Sequence, residues 1–295
     1  MGYSQVTTLW AGCKANLYLR IVGRREDGYH DLRSLFVPLA HPRDQLQVSE
    51  SDKTGLELDC SDPEVPRTSN TLHKAYEVFT QATGWGPGLK VWLQKNIPLG
   101  SGLGGGSADA AALLTYLNAR CPHPSRLSSQ ELVKIAARVG ADVPFFLLNK
   151  PAWVTGIGDQ VRPVSLAISQ AWLLIVCPRV FVSTAQAYAA WDELAADNNL
   201  ELSLTKMEKG DSNTACTSGR VWWNSFEALV FEAHPVLRDI KRQILQAGGS
   251  GAVLSGSGAA VVGLFRIHQD CQQAKRILEN AQTQVFCSSV LSAGV

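Results

Sequence analysis

The sequence predicts a two-domain protein of the α/β class (α+β type), with helices and strands mixed throughout. Three observations carry that expectation. The chain has 295 residues, enough for two domains of roughly 100–200 residues each or one large one. Its 45% hydrophobic and 18% charged residues give the balance of a globular chain with enough apolar surface for a sizeable core. Strand-like and helix-like periodicities alternate along its length, with a soft boundary near residues 155–165. The two parts are expected to cover 1–160 and 161–295.

Leu17–Val22 reads as a strand that ends at Gly23, and 24–28 is polar turn material. Ser34–Leu39, Asp44–Val48 and Leu56–Cys60 read as further strands, so an antiparallel opening is expected. Asn70 is placed to cap a helix whose apolar residues Leu72, Ala75, Tyr76 and Phe79 fall at helical spacing. Leu89–Lys95 alternates as a strand, stopped by Ile97-Pro98. Ser107 is expected to open an alanine-rich helix reaching about Ala119, with Ala110, Ala111, Leu113, Leu114 and Leu117 on one face. Ser128 and Glu131 have the spacing of a capping box before a helix over Leu132–Val139, and Gly140 supplies its stop. Trp153–Asp159 carries two glycines and should turn.

The second half repeats the mixture. Trp172–Val176 reads as a strand and Ser183–Leu194 as a helix. The polar stretch 198–219 reads as a surface insertion. Pro235–Ala247 is helical, and Ala252–Leu254 and Ala259–Phe265 are strands joined by the turn Ser255–Gly258. Gln269–Ala281 is a helix, and a last strand begins at Val285.

Charge and composition narrow the function. The net charge is +1 and is not gathered into runs of one sign, so neither nucleic acid nor an anionic membrane is expected as a partner. No apolar run has the length of a membrane span, and the first residues lack the basic start and apolar core of a signal peptide. A cytoplasmic protein is expected. The seven cysteines are odd in number, widely spaced and without a C-x-x-C, which favours reduced thiols over disulfides or zinc. The histidines form no metal-ligand pattern, so no protein-borne metal site is expected.

The densest chemical signal is Pro98-Leu-Gly-Ser-Gly-Leu-Gly-Gly-Gly-Ser107. A polyphosphate needs donors around it. Glycines let backbone N–H groups approach closely, and a helix beginning just after them adds free N–H groups and its positive dipole end. The spacing of Gly100, Gly102 and Gly105 also fits a dinucleotide-binding fingerprint, but that fingerprint wants an acidic residue at the end of the next strand. Here a proline-rich turn, 121–125, follows instead. The G-K-[ST] ending of a P-loop is absent, as are the protein-kinase motifs.

The loop resembles the glycine-rich motif of the GHMP superfamily of small-molecule kinases. Gly12-Cys-Lys-Ala-Asn16 resembles the first motif of that superfamily, with Gly12-Cys13 in place of its usual Pro-Ala, and Leu254–Ala260 resembles its third. Gly23–Leu32, with Asp27-Gly-Tyr-His30, and Gly140–Phe146 are similar to the branch whose small-molecule substrate is cytidine diphospho-methylerythritol. The resemblance implies a two-domain GHMP kinase fold with its active site in the interdomain cleft, ATP and Mg²⁺ as cofactors, and a monomer or weak homodimer. It implies catalysis by Asp142 as base with Lys14 as its partner. It implies ATP binding by Asn70, Lys95, Pro98, Leu99, Gly100, Ser101, Gly102, Leu103, Gly104, Gly105, Gly106 and Ser107. Substrate binding is implied for Asn16, Tyr29, His30, Thr184 and Tyr188, with Tyr29, His30 and Tyr188 on the cytosine. Read without the resemblance, Asp142 could be a helix cap, Lys14 a charge on an edge strand and Tyr188 a core residue of its helix.

Overall fold

The computed structural model describes residues 6–166, 171–196 and 222–291. The polar stretch 198–219 lies outside the described residues. Strands β1 (Thr7–Arg24) and β2 (His30–Glu50) pair as one long antiparallel ribbon. This differs from the shorter, separate strands expected. The ladder absorbs an irregularity that looks like a break in sequence: Ala11 pairs with Asp44 but Cys13 pairs with Leu39. Residues 40–43 therefore bulge opposite Gly12. Pro42, which has no N–H to donate, falls in the bulge and costs the ladder nothing.

On one side of β2 lies β4 (Leu89–Gln94), with β3 (Leu56–Cys60) parallel to it at the edge. The other end of β2 pairs with β5 (Ala152–Gly156), which turns into β6 (Gln160–Pro163). A second, antiparallel sheet has the order β11-β7-β10-β9, from β7 (Trp172–Pro178), β9 (Gly251–Leu254), β10 (Val261–Phe265) and β11 (Thr283–Ser289). The short strand β8 (Trp223–Asn224) returns to the first sheet and pairs with β1 at Tyr18 and Leu19. Nothing in the local pattern predicts a two-residue strand, so β8 is legible only in the fold.

Helices α1 (Thr71–Thr83), α2 (Gly105–Arg120), α3 (Ser129–Val139) and α4 (Val143–Leu148) share a core with the first sheet. Asn70 caps α1 as expected, accepting from the N–H groups of Leu72 and His73, and Ser128 and Glu131 close their capping box. Helix α5 (Thr184–Ala196), α6 (Glu227–Ala233), α7 (Pro235–Gln246) and α8 (His268–Leu278) are associated with the second sheet. Helix α8 stops three residues short of the expected Ala281, because Asn280 and Thr283 bridge to start β11. β1 joins the two cores: Ala11 packs in the first, and Leu19 and Ile21 pack with Trp191 and Phe226 in the other. Lys14 and Asn16 lie between those points, at the junction of the two layers.

One buried ionic cluster braces the junction between β2, β4 and α2. The Lys95 ammonium donates to Asp44 and, at 2.9 Å, to Asp109. Asp44 also accepts from the backbone of Asn96 at 2.5 Å and of Ile97 at 2.8 Å. Asp109 Oδ1 is buried with no hydrogen-bond partner. Two carboxylates share one ammonium in a dry site. Burial raises the Asp109 carboxyl to about 7, opposed by Lys95 and reinforced by Asp44. A carboxyl with a raised folded-state pKa binds more protons folded than unfolded between its usual range and about 7. Its contribution to stability therefore falls as pH rises across that interval. Thermal melts of the parent and Asp109→Asn proteins check this. The parent should lose stability relative to the variant between pH 5 and pH 8.

Candidate active site

The glycine-rich loop joins β4 to α2 and differs from expectation at its end. α2 begins at Gly105, two residues before Ser107, with Gly104 as its N-cap at φ 75° and no side-chain cap. Glycine reaches that left-handed conformation freely, so no capping hydroxyl is needed. The N–H groups of Gly105, Gly106 and Ser107 are among those a first helical turn leaves unpaired, and the Ser107 hydroxyl has no hydrogen-bond partner among the described residues. Gly102, at φ 76°, lies against the backbone of the third motif: an added Cβ would overlap Ser255 O and stand 3.0 Å from Gly258 O. The loop is pinned elsewhere by Lys14 N donating to Leu103 O at 2.9 Å, and by Ala260 N donating to Ser101 O at 3.0 Å. All three motifs that are remote in sequence thus meet at one place.

Lys14 lies on β1, paired with Pro38 of β2 on one side and covered by the glycine loop on the other, where its N–H meets Leu103 O, so it is not an exposed edge-strand charge. It is only 4% exposed. Its Nζ donates to Asn16 Oδ1 at 2.5 Å, lies 3.7 Å from Asp142 Oδ2 and sits 4.6 Å from the centre of the Phe36 ring. Burial lowers the Lys14 pKa below the usual 10.5, and the Asp142 carboxylate opposes that fall. Asp142 directly precedes α4, yet its side chain makes no capping bond, so it is not spent as a helix cap. Asn16 Nδ2 donates to Ser34 Oγ at 2.9 Å, and Ser34 Oγ to Tyr18 O at 2.5 Å. Ser255 Oγ reaches Asn16 N at 3.2 Å. Asn16 thereby orients the lysine, while its own amide is held by two serines from other segments.

These groups line a cavity of about 300 Å³. Lys14, Asn16, Gly102, Gly104, Asp142, Thr184 and Tyr188 all border it, as do Ser34, Phe36, Phe226 and Ser257, which sequence reasoning did not single out. Ser257 lies in the third motif and bonds Thr184 Oγ1 at 2.7 Å, a tie that its position in the motif could have hinted at. Ser34 and Phe226 carry no local signal. The His30 ring stacks on Tyr188 at 4.7 Å between centroids and meets Asp192 Oδ1 at 2.6 Å. Burial, with the negative Asp142 adding to it, pushes the Tyr188 hydroxyl to about 12, so it stays protonated at neutral pH. Tyr29 is 61% exposed, and neither it nor His30 is among the residues that line the cavity.

Two of the residues expected at the nucleotide have internal duties. Asn70 uses its oxygen to cap α1 and its Nδ2 to reach Pro66 O at 2.6 Å. Lys95 is turned inward to Asp44 and Asp109. Both nevertheless adjoin the loop: Thr71 Oγ1 donates to Gly106 O at 2.9 Å, and an added Cβ on Gly105 would stand 3.2 Å from Lys95 Nζ. Ser101 Oγ donates to Pro98 O at 2.6 Å, tightening the turn, while Leu99 is exposed. Among the described residues, no cluster of three or more His, Cys, Asp or Glu could hold a metal, and no helix is long and apolar enough to cross a membrane. The described cysteines are free thiols; Cys216 lies outside the described residues.

A site that pairs a buried ammonium with a carboxylate beside a glycine loop suits phosphoryl transfer, which asks for positioning and charge stabilisation. A pH series checks the lysine. Deprotonation of a Lys14 with a lowered pKa should put the alkaline limb of kcat below pH 10.5, the ordinary lysine value.

Comparison with known proteins gives the family. The profile of the GHMP kinases N terminal domain matches residues 70–150 and that of the GHMP kinases C terminal region matches 204–285. A 4-diphosphocytidyl-2-C-methyl-D-erythritol kinase of Nitratidesulfovibrio vulgaris (strain DP4) is 42% identical over 96% of this chain and 98% of its own. One of Symbiobacterium thermophilum is 39% identical over 90% of this chain and 92% of its own. A crystal structure of 4-(cytidine 5'-diphospho)-2C-methyl-D-erythritol kinase superposes with a TM-score of 0.79 at 30% identity, over 98% of this chain and all of that one. A homoserine kinase from Cytophaga hutchinsonii shares the fold, with a TM-score of 0.73 at 20% identity over 98% of this chain and 96% of that one. With the loop, the lysine–carboxylate pair and similarity over nearly its full length, this chain belongs to the 4-diphosphocytidyl-2-C-methyl-D-erythritol kinases of the GHMP kinase family.

Proposed function

We propose that this protein transfers the γ-phosphoryl group of ATP to the 2-hydroxyl of 4-diphosphocytidyl-2-C-methyl-D-erythritol, giving the 2-phosphate and ADP in the non-mevalonate isoprenoid pathway. One observation carries the reading. The Lys14–Asp142 pair stands in a single cavity with the glycine loop and with the wall formed by Tyr188, on which His30 stacks. Phosphate donors and a candidate base-recognition surface therefore flank the same carboxylate.

In this reading the substrate hydroxyl yields its proton to Asp142 as its oxygen attacks the γ-phosphorus, and ADP departs. Lys14 stabilises the charge that builds on the attacking oxygen. The loop from Pro98 to Ser107 holds the phosphates through its backbone N–H groups. Mg²⁺, bound with ATP, would neutralise charge on the transferring phosphates. Hard cations take oxygen ligands, and the unpartnered Ser107 hydroxyl is the one the loop offers. Asn70 and Lys95 serve the nucleotide side by shaping the loop. His30, Tyr29 and Tyr188 meet the cytosine, with Thr184 and Asn16 lining the path to Asp142. The division into 1–160 and 161–295 belongs to the same reading, supported by the two sheets.

Incubation with ATP·Mg²⁺ and a panel of acceptors tests it. The cytidine diphospho-polyol is the expected acceptor. Phosphorylation of mevalonate or homoserine in its place overturns the assignment.

A further inference from the structure

Asp192 lies on the third turn of α5, outside every motif quoted above. Its carboxylate reaches back to the β1–β2 ribbon and touches two cross-strand partners, Arg24 and His30. Asp192 Oδ1 is 2.6 Å from His30 Nε2, and Oδ2 is 3.5 Å from Arg24 Nη1. The imidazole is also packed by Tyr188 on its face and by Trp191 edge-on, at 5.5 Å between centroids. His30 is 7% exposed, so its ring has one fixed setting.

An ionised carboxylate can only accept, so the contact commits the His30 proton to Nε2. Nδ1 is then left as an acceptor, with no partner among the described residues. We infer that Asp192 is a positioning residue for base recognition: it holds His30 as the Nε2–H tautomer, so that Nδ1 accepts from the exocyclic amino group of cytosine and disfavours the carbonyl that uracil presents there. The inference rests on the cytidine substrate proposed above. A purely structural clamp between α5 and the ribbon would use the same contact, but would not depend on which nitrogen carries the proton.

Asp192→Asn separates the two roles. Arg24 faces Oδ2, so the amide oxygen turns toward the guanidinium and the NH₂ toward His30. An NH₂ group needs an acceptor at Nε2, which moves the ring proton to Nδ1 and inverts its sense. A site built around a hydrogen bond loses affinity steeply when a buried partner is mismatched.

The experiment has two arms on the full chain. Nitrogen-15 NMR at pH 8, without ligand, reads the His30 tautomer directly in the parent and in Asp192→Asn. The parent is expected to carry the proton on Nε2 and the variant on Nδ1. Steady-state kinetics then compare the cytidine substrate with its uridine counterpart. Asp192→Asn should raise the KM for the cytidine substrate about tenfold or more. Its kcat and its KM for ATP should stay within about twofold, and the preference for cytidine over uridine should shrink by a similar factor. Asp192→Glu, which keeps a carboxylate, should recover most of the preference. A parent His30 protonated on Nδ1, or on both nitrogens, overturns the inference whatever the protein phosphorylates. So does an Asp192→Asn protein with unchanged base preference. Failure of the parent to use the cytidine substrate would instead strike the proposed function, leaving the NMR arm to judge Asp192.

Discussion

Asp142→Asn is expected to lose about 10²- to 10⁴-fold in kcat, the range that a positioned general base contributes. The amide is nearly isosteric with the carboxylate but cannot take a proton. The fold should survive, because Asp142 makes no capping bond and its nearest cation stands 3.7 Å away. The neighbouring lysine gives a second readout. Burial already lowers the Lys14 pKa, and Asp142 is the charge that opposes the fall. Removing that charge lowers it further, so residual activity should vanish at a lower pH than in the parent. Nucleotide affinity should change little, because the loop N–H groups are untouched. Rapid-quench kinetics at saturating substrate, with equilibrium nucleotide binding alongside, make the measurement. Unaltered turnover would remove Asp142 from the chemistry, whereas nucleotide binding without product in parent and variant alike would point to a binding role.

Gly102→Ala is the second large effect, and it acts through packing. Gly102 sits at φ 76°, where an L-residue is strained by about 1–2 kcal/mol. Its new methyl would also overlap Ser255 O, a backbone atom that cannot rotate away. The loop or the β9–β10 turn must shift. A displacement of about 1 Å at a positioned site costs about 10²-fold in rate. The ATP KM should rise and kcat fall together, with a lower melting temperature. Gly100→Ala is the control: it has a similar φ of 63° but only the Phe181 side chain nearby, at 3.7 Å. It carries the strain without the overlap and should cost clearly less on both measures. Equal losses in the two variants would show that strain alone matters.

The local elements and the phosphate loop were legible because short-range rules govern them. The Asn70 cap, the Ser128–Glu131 capping box, the alternation of β4 and the glycines of 98–107 each announce themselves within a few residues. Resemblance to a family then supplied what no periodicity carries, the pairing of Lys14 with Asp142 across 128 positions. Other features had no local signature. The bulge opposite Gly12 turns apparently separate strands into one ribbon, and β8 exists only because Tyr18 and Leu19 leave an edge for it. The alanine-rich helix opens at Gly105 behind a left-handed Gly104 cap, two residues before the start expected at Ser107.

By itself, then, the sequence determined an α+β chain, a phosphate cradle and the residue types for transfer of a phosphoryl group. The tertiary structure alone decided their partners. It turned Lys95 inward to Asp44 and Asp109, gave Lys14 the oxygen of Asn16, and brought Asp192 to His30 across 162 positions. The physical reason is desolvation. A buried charge or imidazole must find a partner, and which one it finds depends on the elements packed against it, not on its neighbours along the chain.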